Sequence, residues 1–108
     1  MIIITRRHLA QASEQYQEAA KEIQAWCKIV EPEKWRNFVE LRQTFPDADN
    51  VDGYVVFNIR RNRYRLITDT HYYRERGGRA SEGHVYIRSF LTHKEYDNKK
   101  NWDKGVKK

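Results

Sequence analysis

The chain has 108 residues, and its content of 39% hydrophobic and 13% aromatic residues is enough to build one domain core, which excludes a disordered protein. A single cysteine, Cys27, excludes an internal disulfide, and no apolar stretch is long enough to span a membrane. Lysine and arginine outnumber aspartate and glutamate by 21 to 15, a net charge of +6, and we expect a basic cytoplasmic protein with a single domain over residues 1–108.

The first half of the chain has the residue spacing of helices. Residues 2–4, all isoleucine, predict a short buried strand, and Thr5 stands where it can cap the helix that follows. Proline-containing segments at 31–33 and 45–46 end the second and third helices. Apolar residues recur every three or four positions and give each helix one buried face: Leu9, Ala12 and Tyr16, then Ala19, Ile23, Trp26, Cys27 and Val30, then Trp35, Phe38 and Leu41.

The period changes to that of β-strands from Tyr54 onward. A tight turn is predicted at residues 60–62, a mobile hairpin loop at 75–83, and a polar basic tail at about 98–108 with Trp102 as its only large anchor. Helices followed by a meander of strands predict an α+β fold, in which N-terminal helices pack on a small antiparallel sheet. The predicted strands are 54–59, 63–68 (or as far as residue 73) and 84–91.

The basic charge is concentrated in the strand-forming half. Residues 1–53 contain 7 lysines and arginines and 9 acidic residues, whereas residues 54–108 contain 14 and 6, a net charge of +8. This asymmetry favours a polyanionic partner, most often nucleic acid, over a basic protein that has no such partner. Alternation along the return strand places Arg63 and Arg65 on the sheet face opposite Leu66, so that face is not the centre of the core.

Several short segments between Val55 and Asp97 carry a family resemblance. In their order and spacing they resemble the HigB family of toxins, which are RelE-like members of type II toxin–antitoxin systems. The resemblance covers nearly the whole chain except the tail. The segments are VFNI (56–59), NRYRLI (62–67), VYIR (85–88) and THKEYD (92–97), preceded by Trp26, WRNF (35–38) and FPDAD (45–49).

The resemblance implies a compact RelE-like fold and endonucleolytic cleavage of mRNA, usually in the decoding site of the ribosome. It also implies neutralisation by a cognate helix-turn-helix antitoxin similar to HigA, and a toxin–antitoxin complex that binds its own operator. We therefore expect mRNA and an antitoxin as partners, DNA contact only through the antitoxin complex, and no membrane partner.

Two features depart from the pattern of this family. The hairpin turn usually has glycine at the position of Arg61, which lacks the freedom of glycine to adopt positive φ. The turn also carries the additional cation Arg60. Secondly, the connection over residues 74–83 is longer than is usual in the family, and its role is not implied by the resemblance.

RNA supplies its own nucleophile, the 2′-hydroxyl, so the protein needs to provide proton transfer and cations but no metal or other cofactor. His93 is the candidate acid or base, because the ordinary pKa of histidine, about 6.5, suits both roles. Tyr96 shares a helix face with His93 and is a candidate to stack on a base or orient the phosphate. Arg65 and Arg88, on neighbouring strands, are candidates to clamp the scissile phosphate.

Contacts with the RNA backbone are predicted at the basic turn and at the start of the last helix. Thr92, Glu95 and Asp97 are interpreted as supports for that helix. The predicted RNA-contacting residues are Arg60, Arg61, Asn62, Arg63 and Lys94.

Each candidate has a structural alternative. His93 is also compatible with a surface or capping residue, and Tyr96 with packing on the sheet. Arg65 is compatible with an ion pair to Glu95 or Asp97, and Arg88 with a structural role. Two other functions also stay open: a non-catalytic RNA-binding module, and a degenerate toxin that only binds its antitoxin. Neither yields RNA ends with a 2′,3′-cyclic phosphate.

Overall fold

A five-stranded sheet forms the centre of the structure, a computed structural model that describes residues 1–102. The strands are β1 (Ile2–Ile4), β2 (Asp49–Val51), β3 (Tyr54–Ile59), β4 (Tyr64–His71), β5 (Arg74–Arg76), β6 (Arg79–Ser81) and β7 (His84–Thr92). The sheet has the order β1-β7-β4-β3-β2, and β5 pairs with β6 in a separate two-stranded ribbon. The predicted α+β class is confirmed, although the sheet is mixed because β1 joins β7 in parallel.

Three of the helices described precede the central hairpin, as the apolar spacing predicted. The helices are α1 (Arg6–Gln15), α2 (Ala20–Val30), α3 (Phe38–Thr44) and the short α4 (His93–Tyr96), with 3-10 turns at Gln17–Ala19 and Lys99–Asn101. The side chain of Asn37 caps α3 by accepting a hydrogen bond from the Glu40 N–H at 2.9 Å. Within residues 1–102, none of the helices is both long and apolar enough to cross a membrane.

The main core lies between the helices and one face of the sheet. Alternating residues of β3 and β4 face the helices, with Phe57, Tyr64 and Leu66 among them. Trp26 and Trp35 are both buried against this face, which confirms the predicted core role of the two tryptophans. Aromatic rings meet edge to face here, and this arrangement adds to the stabilisation from buried apolar area.

A second, smaller core covers part of the opposite sheet face. Val56, Ile67 and Leu91 are buried there beneath Trp102, whose own side chain is buried. Trp102 belongs to the segment that the sequence assigned to a basic tail, and it is held by a hydrogen bond from its Nε1 to the Tyr96 carbonyl at 2.7 Å. Residues 103–108 of that predicted tail lie outside the described residues.

A bulge in β7 at Arg88 changes which residues of this strand face the helices. Ile67 pairs with Ser89 and Thr68 with Ile87, so Arg88 has no partner residue in β4. Ile87 therefore packs in the main core, while Leu91 packs in the second core. The alternation that the sequence suggests along β7 is thus interrupted at this residue.

One local prediction was wrong and another was borne out in part. Thr5 does not cap α1 through its side chain, because its backbone is left-handed (φ 72°) at the sharp strand-to-helix junction. The hairpin predicted at residues 75–83 is present, and it is formed by the paired strands β5 and β6, joined by Gly77 and Gly78 with φ of 58° and 80°. Both glycines adopt the positive φ that a two-residue hairpin turn needs.

Candidate active site

An open depression lies between the β3–β4 turn and the start of α4. Its floor is fixed by a hydrogen bond from the His93 N–H to the Arg63 carbonyl at 3.0 Å. Six of the nine predicted site residues line this depression, which we call the basic groove. It is lined by Arg60, Arg61, Asn62, Arg63, Thr92, His93 and Lys94.

The β3–β4 turn is strained at its two arginines. Arg60 and Arg61 have φ of 50° and 59°, the left-handed region that disfavours residues with a Cβ by about 1–2 kcal/mol each. Arg61 therefore adopts the conformation for which glycine is suited. The strain that glycine would avoid at this position therefore falls on Arg61.

Carboxylates from the helical layer hold this turn in place. Glu22 accepts a hydrogen bond from the Arg60 N–H at 2.7 Å and lies 3.6 Å from its guanidinium. Glu18 accepts hydrogen bonds from the Tyr64 hydroxyl at 2.5 Å and from Arg63 at 3.1 Å. The bond from Tyr64, followed by that from Arg63, lowers the pKa of Glu18 below its ordinary value. The guanidinium groups of Arg60 and Arg63 are therefore already paired with carboxylates of the protein.

Arg61 and Lys94 are the cations of the basic groove that stay available. Both are exposed, and within residues 1–102 neither has a carboxylate partner at ion-pair distance, whereas Arg60 and Arg63 do. A cation without a protein partner can form a charge-assisted hydrogen bond with an incoming phosphate at no cost of breaking an ion pair. Among the cations predicted to contact RNA, Arg61 and Lys94 are therefore the two that an incoming phosphate can bind without displacing a carboxylate.

His93 is the first residue of α4 and is exposed at the edge of the groove. Its Nδ1 lies 4.0 Å from the Asp97 carboxylate, one helical turn further along the chain, and 55% of its side chain is exposed. Thr92 and Glu95 form a reciprocal capping box that fixes the start of the helix. The cap holds the His93 backbone and leaves the imidazole free to reach a substrate.

Arg65 lies half-buried on the sheet face next to α4. Its guanidinium donates to the Asn62 carbonyl at 3.0 Å and lies 5.2 Å from the centre of the Tyr96 ring. The ion pair considered with Glu95 or Asp97 is not formed: within the described part of the chain, Arg65 has carbonyl and ring partners instead. Its positive charge is thus fixed in place without being neutralised by a carboxylate.

Tyr96 packs on the sheet and on the end of the described chain. Its ring stacks on Trp102 with 4.6 Å between ring centres and an interplanar angle of 20°. Burial, and then the nearby Asp49 carboxylate, raise the pKa of Tyr96 above its ordinary value. The raised pKa favours the protonated phenol, which can donate a hydrogen bond.

Arg88 lies apart from the other candidates. Arg65 pairs with Leu91, and Arg88 lies three residues before Leu91 in β7, a separation along the strand of roughly 10 Å at about 3.3 Å per residue. Its guanidinium binds Asp69 at 3.3 Å and lies 5.7 Å from the Tyr86 ring centre. The predicted clamp of Arg65 with Arg88 is not formed, because the β7 bulge and Asp69 hold Arg88 elsewhere.

Sequence reasoning missed the residues that hold the site in place. Glu18 and Glu22 look like ordinary exposed residues of a helical segment, and nothing local connects them to a turn about 40 residues later. Trp102 had one signal, since a lone large aromatic residue in a polar segment usually has something to pack on. Within residues 1–102, no three His, Cys, Asp or Glu side chains come together as a metal site would require.

Comparison with known proteins places this arrangement in a family. The model of the HigB toxin family, described as the RelE-like toxic component of a toxin–antitoxin system, matches residues 19–99. A protein of Escherichia coli K12 named mRNA interferase toxin HigB is 29% identical over 100 residues, which cover 90% of this chain and 88% of that protein. Proteins named mRNA interferase HigB from Escherichia coli O157:H7 and Shigella flexneri match with the same identity and coverage.

Proposed function

The chain belongs to the HigB toxin family, the RelE-like toxic components of toxin–antitoxin systems, and we propose that it is an endoribonuclease that cuts mRNA and so inhibits translation. The observation that carries this proposal is the basic groove, where an exposed histidine stands beside unpaired cations. His93 lies next to Lys94 and across the groove from Arg61. The names of the relatives, mRNA interferase, support the same activity.

In the proposed reaction, the 2′-hydroxyl of the RNA attacks the adjacent phosphorus, and the 5′-oxygen of the next nucleotide leaves. The products are a 2′,3′-cyclic phosphate and a 5′-hydroxyl. His93 transfers one of the two protons, because histidine is the side chain best suited to general acid–base catalysis near neutral pH. Asp97, whose carboxylate lies 4.0 Å from Nδ1, orients the imidazole. No metal ion is needed for this chemistry.

The cations have two different tasks in this proposal. Arg65 supplies a fixed positive charge near α4, and a pre-oriented cation acts most strongly where negative charge develops in the transition state. Arg61 and Lys94 bind the neighbouring phosphates, while Arg60 and Arg63 keep the turn in shape. Tyr96 acts through its ring, which lies against the Arg65 guanidinium and holds it in position.

For Arg88 we propose a supporting role. Its ion pair with Asp69 joins β4 and β7 at the bulge, where the regular pairing of these strands is interrupted. A bulge that bends β7 also sets the direction in which α4 leaves the sheet. The loss of Arg88 is therefore expected to change the position of His93 rather than remove a phosphate contact.

The proposed partners follow from family membership. The mRNA is cut on the ribosome, a helix-turn-helix antitoxin of the HigA type neutralises the toxin, and the pair binds operator DNA through the antitoxin. All of these partners are found in the cytoplasm, where we place the protein. The net charge of +8 in residues 54–108 is consistent with a polyanionic substrate.

The test is to map mRNA ends after induced expression of the chain without an antitoxin. We expect growth arrest and new mRNA ends that carry a 2′,3′-cyclic phosphate. His93→Ala is expected to lower cleavage by at least about 100-fold, the range of general acid–base catalysis. The change removes an exposed side chain, so circular dichroism and thermal unfolding should match the unchanged protein.

His71→Ala is the matched control. His71 is also exposed (60%) and also lies near a carboxylate, Asp69 at 3.3 Å, but it is far from the groove at the other end of β4. Full cleavage by H71A together with loss in H93A supports the assignment. Equal cleavage by H93A and the unchanged protein would mean that the site is wrong. RNA binding without any cleavage would favour the non-catalytic alternative.

A further inference from the structure

The ribbon of β5 and β6 presents all of its arginines on one face. In an antiparallel pair, directly opposed residues share a face, and so do residues two apart on one strand. Arg74 pairs with Ser81, and Arg76 pairs with Arg79, so the three guanidinium groups project from the same side. Glu75, the acidic residue of these strands, pairs with Ala80 and projects from the opposite side.

This arrangement opposes the stability of the ribbon. Arg76 and Arg79 face each other directly, and like charges at opposed positions of an antiparallel pair repel. Within residues 1–102, none of the three arginine side chains has an ion-pair or hydrogen-bond partner, and all three residues are exposed. The fold gains nothing from this cluster, whereas a polyanion that neutralised it would relieve the repulsion.

The ribbon is fixed where it joins the sheet. Tyr73, just before β5, donates its N–H to the Trp35 carbonyl at 2.8 Å and its hydroxyl to Glu75 at 3.1 Å. Gly83, just after β6, has φ of 79°, and a Cβ there would lie 2.7 Å from the His71 carbonyl oxygen. The arginine face is thus held in a defined direction, as a docking surface requires.

We propose that this arginine face binds the phosphate backbone of double-helical RNA, at a site separate from the basic groove. Arginines two apart on a strand are roughly 6–7 Å apart, which is similar to the spacing of successive phosphates along a nucleic-acid strand. The face carries three arginines and one serine, which suit contacts with phosphates, and side chains cannot reach the base edges in the deep, narrow major groove of double-helical RNA. This proposal rests on the proposed function only in the choice of RNA over DNA.

The consequence for the proposed function is a second point of attachment. The ribbon and the basic groove lie at opposite ends of the β4–β7 pair, since Tyr64 and Thr92 pair at one end and His71 and His84 at the other. A structured RNA bound at the ribbon would hold a single strand near the groove. Two linked contacts bind more tightly than either one does alone.

The experiment measures binding of a 20-base-pair 2′-O-methyl RNA duplex to the full chain by fluorescence anisotropy at several salt concentrations. This probe is A-form and has no free 2′-hydroxyl, so it cannot be cut by the proposed reaction. We compare Arg74→Ala/Arg76→Ala/Arg79→Ala with Arg7→Ala/Lys21→Ala/Lys28→Ala, which removes the same charge from exposed positions of α1 and α2. A third protein carries lysine at the three ribbon positions.

We expect the ribbon variant to bind about 10- to 100-fold more weakly near 100 mM salt and to lose about two units of the slope of log affinity against log salt. The lysine variant should recover most of the slope, and the helix variant should keep it. An equal loss in the ribbon and helix variants would overturn the proposal, because net charge alone would then explain binding. Unchanged duplex binding by the ribbon variant would overturn it as well.

Two further measurements keep the outcome specific. If the ribbon variant loses binding only to a B-form DNA duplex, or only to an antitoxin, the assignment to RNA is wrong. If alanine weakens the ribbon, glutamine at the three positions gives the same comparison, because it removes the charge but retains a long polar side chain. Because the probe cannot be cut, this result is independent of whether His93 supports cleavage, and each proposal can fail alone.

Discussion

Two turns of this molecule place residues of positive φ next to arginines, but they do so differently. In the β5–β6 ribbon the positive φ falls on Gly77 and Gly78, and the arginines stand on the strands beside them. In the β3–β4 turn it falls on Arg60 and Arg61 themselves. Glycine adopts these angles without strain, whereas arginine is disfavoured by about 1–2 kcal/mol at each position.

The difference indicates what each turn contributes. Glu18 and Glu22, which belong to the helical layer, hold the strained turn in place through hydrogen bonds. The strained backbone places a cation, Arg61, at the tip of the turn, where it has no carboxylate partner within residues 1–102. The unstrained ribbon needs no such support and leaves its three arginines unpaired. The number of cations is therefore a poor guide to binding; their protein partners decide which of them are available.

The largest effect is expected when the β3–β4 turn receives a glycine, as the turn of the ribbon has. Arg61→Gly should raise the free energy of unfolding by about 1 kcal/mol, because the left-handed backbone is no longer strained. It should also lower RNA cleavage about tenfold, through loss of one charge-assisted phosphate contact of about 1.5 kcal/mol. Urea denaturation and single-turnover cleavage measure the two effects.

Arg61→Ala separates the two causes. Alanine removes the cation but keeps the Cβ, so cleavage should fall as in R61G while stability stays close to that of the unchanged protein. Arg60→Ala should lower cleavage less, since Arg60 is already engaged by Glu22 and the Glu18 carbonyl. A fully active R61G, or an R60A less active than R61A, would contradict this account of the turn.

The sequence predicted what depends on local periodicity. The helical spacing around Trp26 and the strands on either side of the β3–β4 turn appear where they were expected, because burial of one face repeats along the chain. The placement of His93 at the end of β7 was predictable for the same reason. Polar residues that follow an apolar strand mark the point where the chain leaves the sheet, and side chains there are exposed.

What could not be predicted depends on contacts between distant residues. Nothing in the sequence shows that Glu18 bonds to Tyr64, 46 residues away. The bulge at Arg88 depends on such contacts as well, because it is defined by how β7 pairs with β4. The resemblance marked Arg61 as a departure from glycine, but only the backbone shows that arginine adopts the conformation of glycine there.

A smaller effect is expected when the carboxylate of Glu18, which supports the strained β3–β4 turn, is removed. Glu18→Gln should destabilise the protein at neutral pH, since the charged acceptor of the Tyr64 and Arg63 hydrogen bonds is lost. The pKa of Glu18 is lowered in the folded state, so its stabilisation is fully present above about pH 4.5 and is lost as the pH falls further. Urea denaturation at pH 7 and pH 3 measures the difference.

Glu14→Gln is the control for this change. Glu14 is exposed on α1, and within the described residues it has no hydrogen-bond or ion-pair partner. Its substitution should leave stability unchanged at both pH values. If E18Q and E14Q behave alike at pH 7, or if the loss in E18Q is as large at pH 3, then Glu18 does not hold the turn through its charge.

The smallest effect is expected in the unstrained ribbon. Arg79→Thr removes the repulsion with Arg76 and adds a β-branched residue suited to a strand, a gain of about 0.2–1 kcal/mol. The gain is local, so it should appear as about 1.4- to 5-fold slower hydrogen exchange over residues 74–81 rather than as a change in global unfolding.

Ser81→Thr is the control, because it makes a similar change in strand preference without altering charge, and it should slow exchange less. If R79T exchanges no more slowly than S81T, the opposed arginines do not repel. In that case the arginine face would not lower the stability of the ribbon, and its stability would give no reason to regard the face as a binding surface.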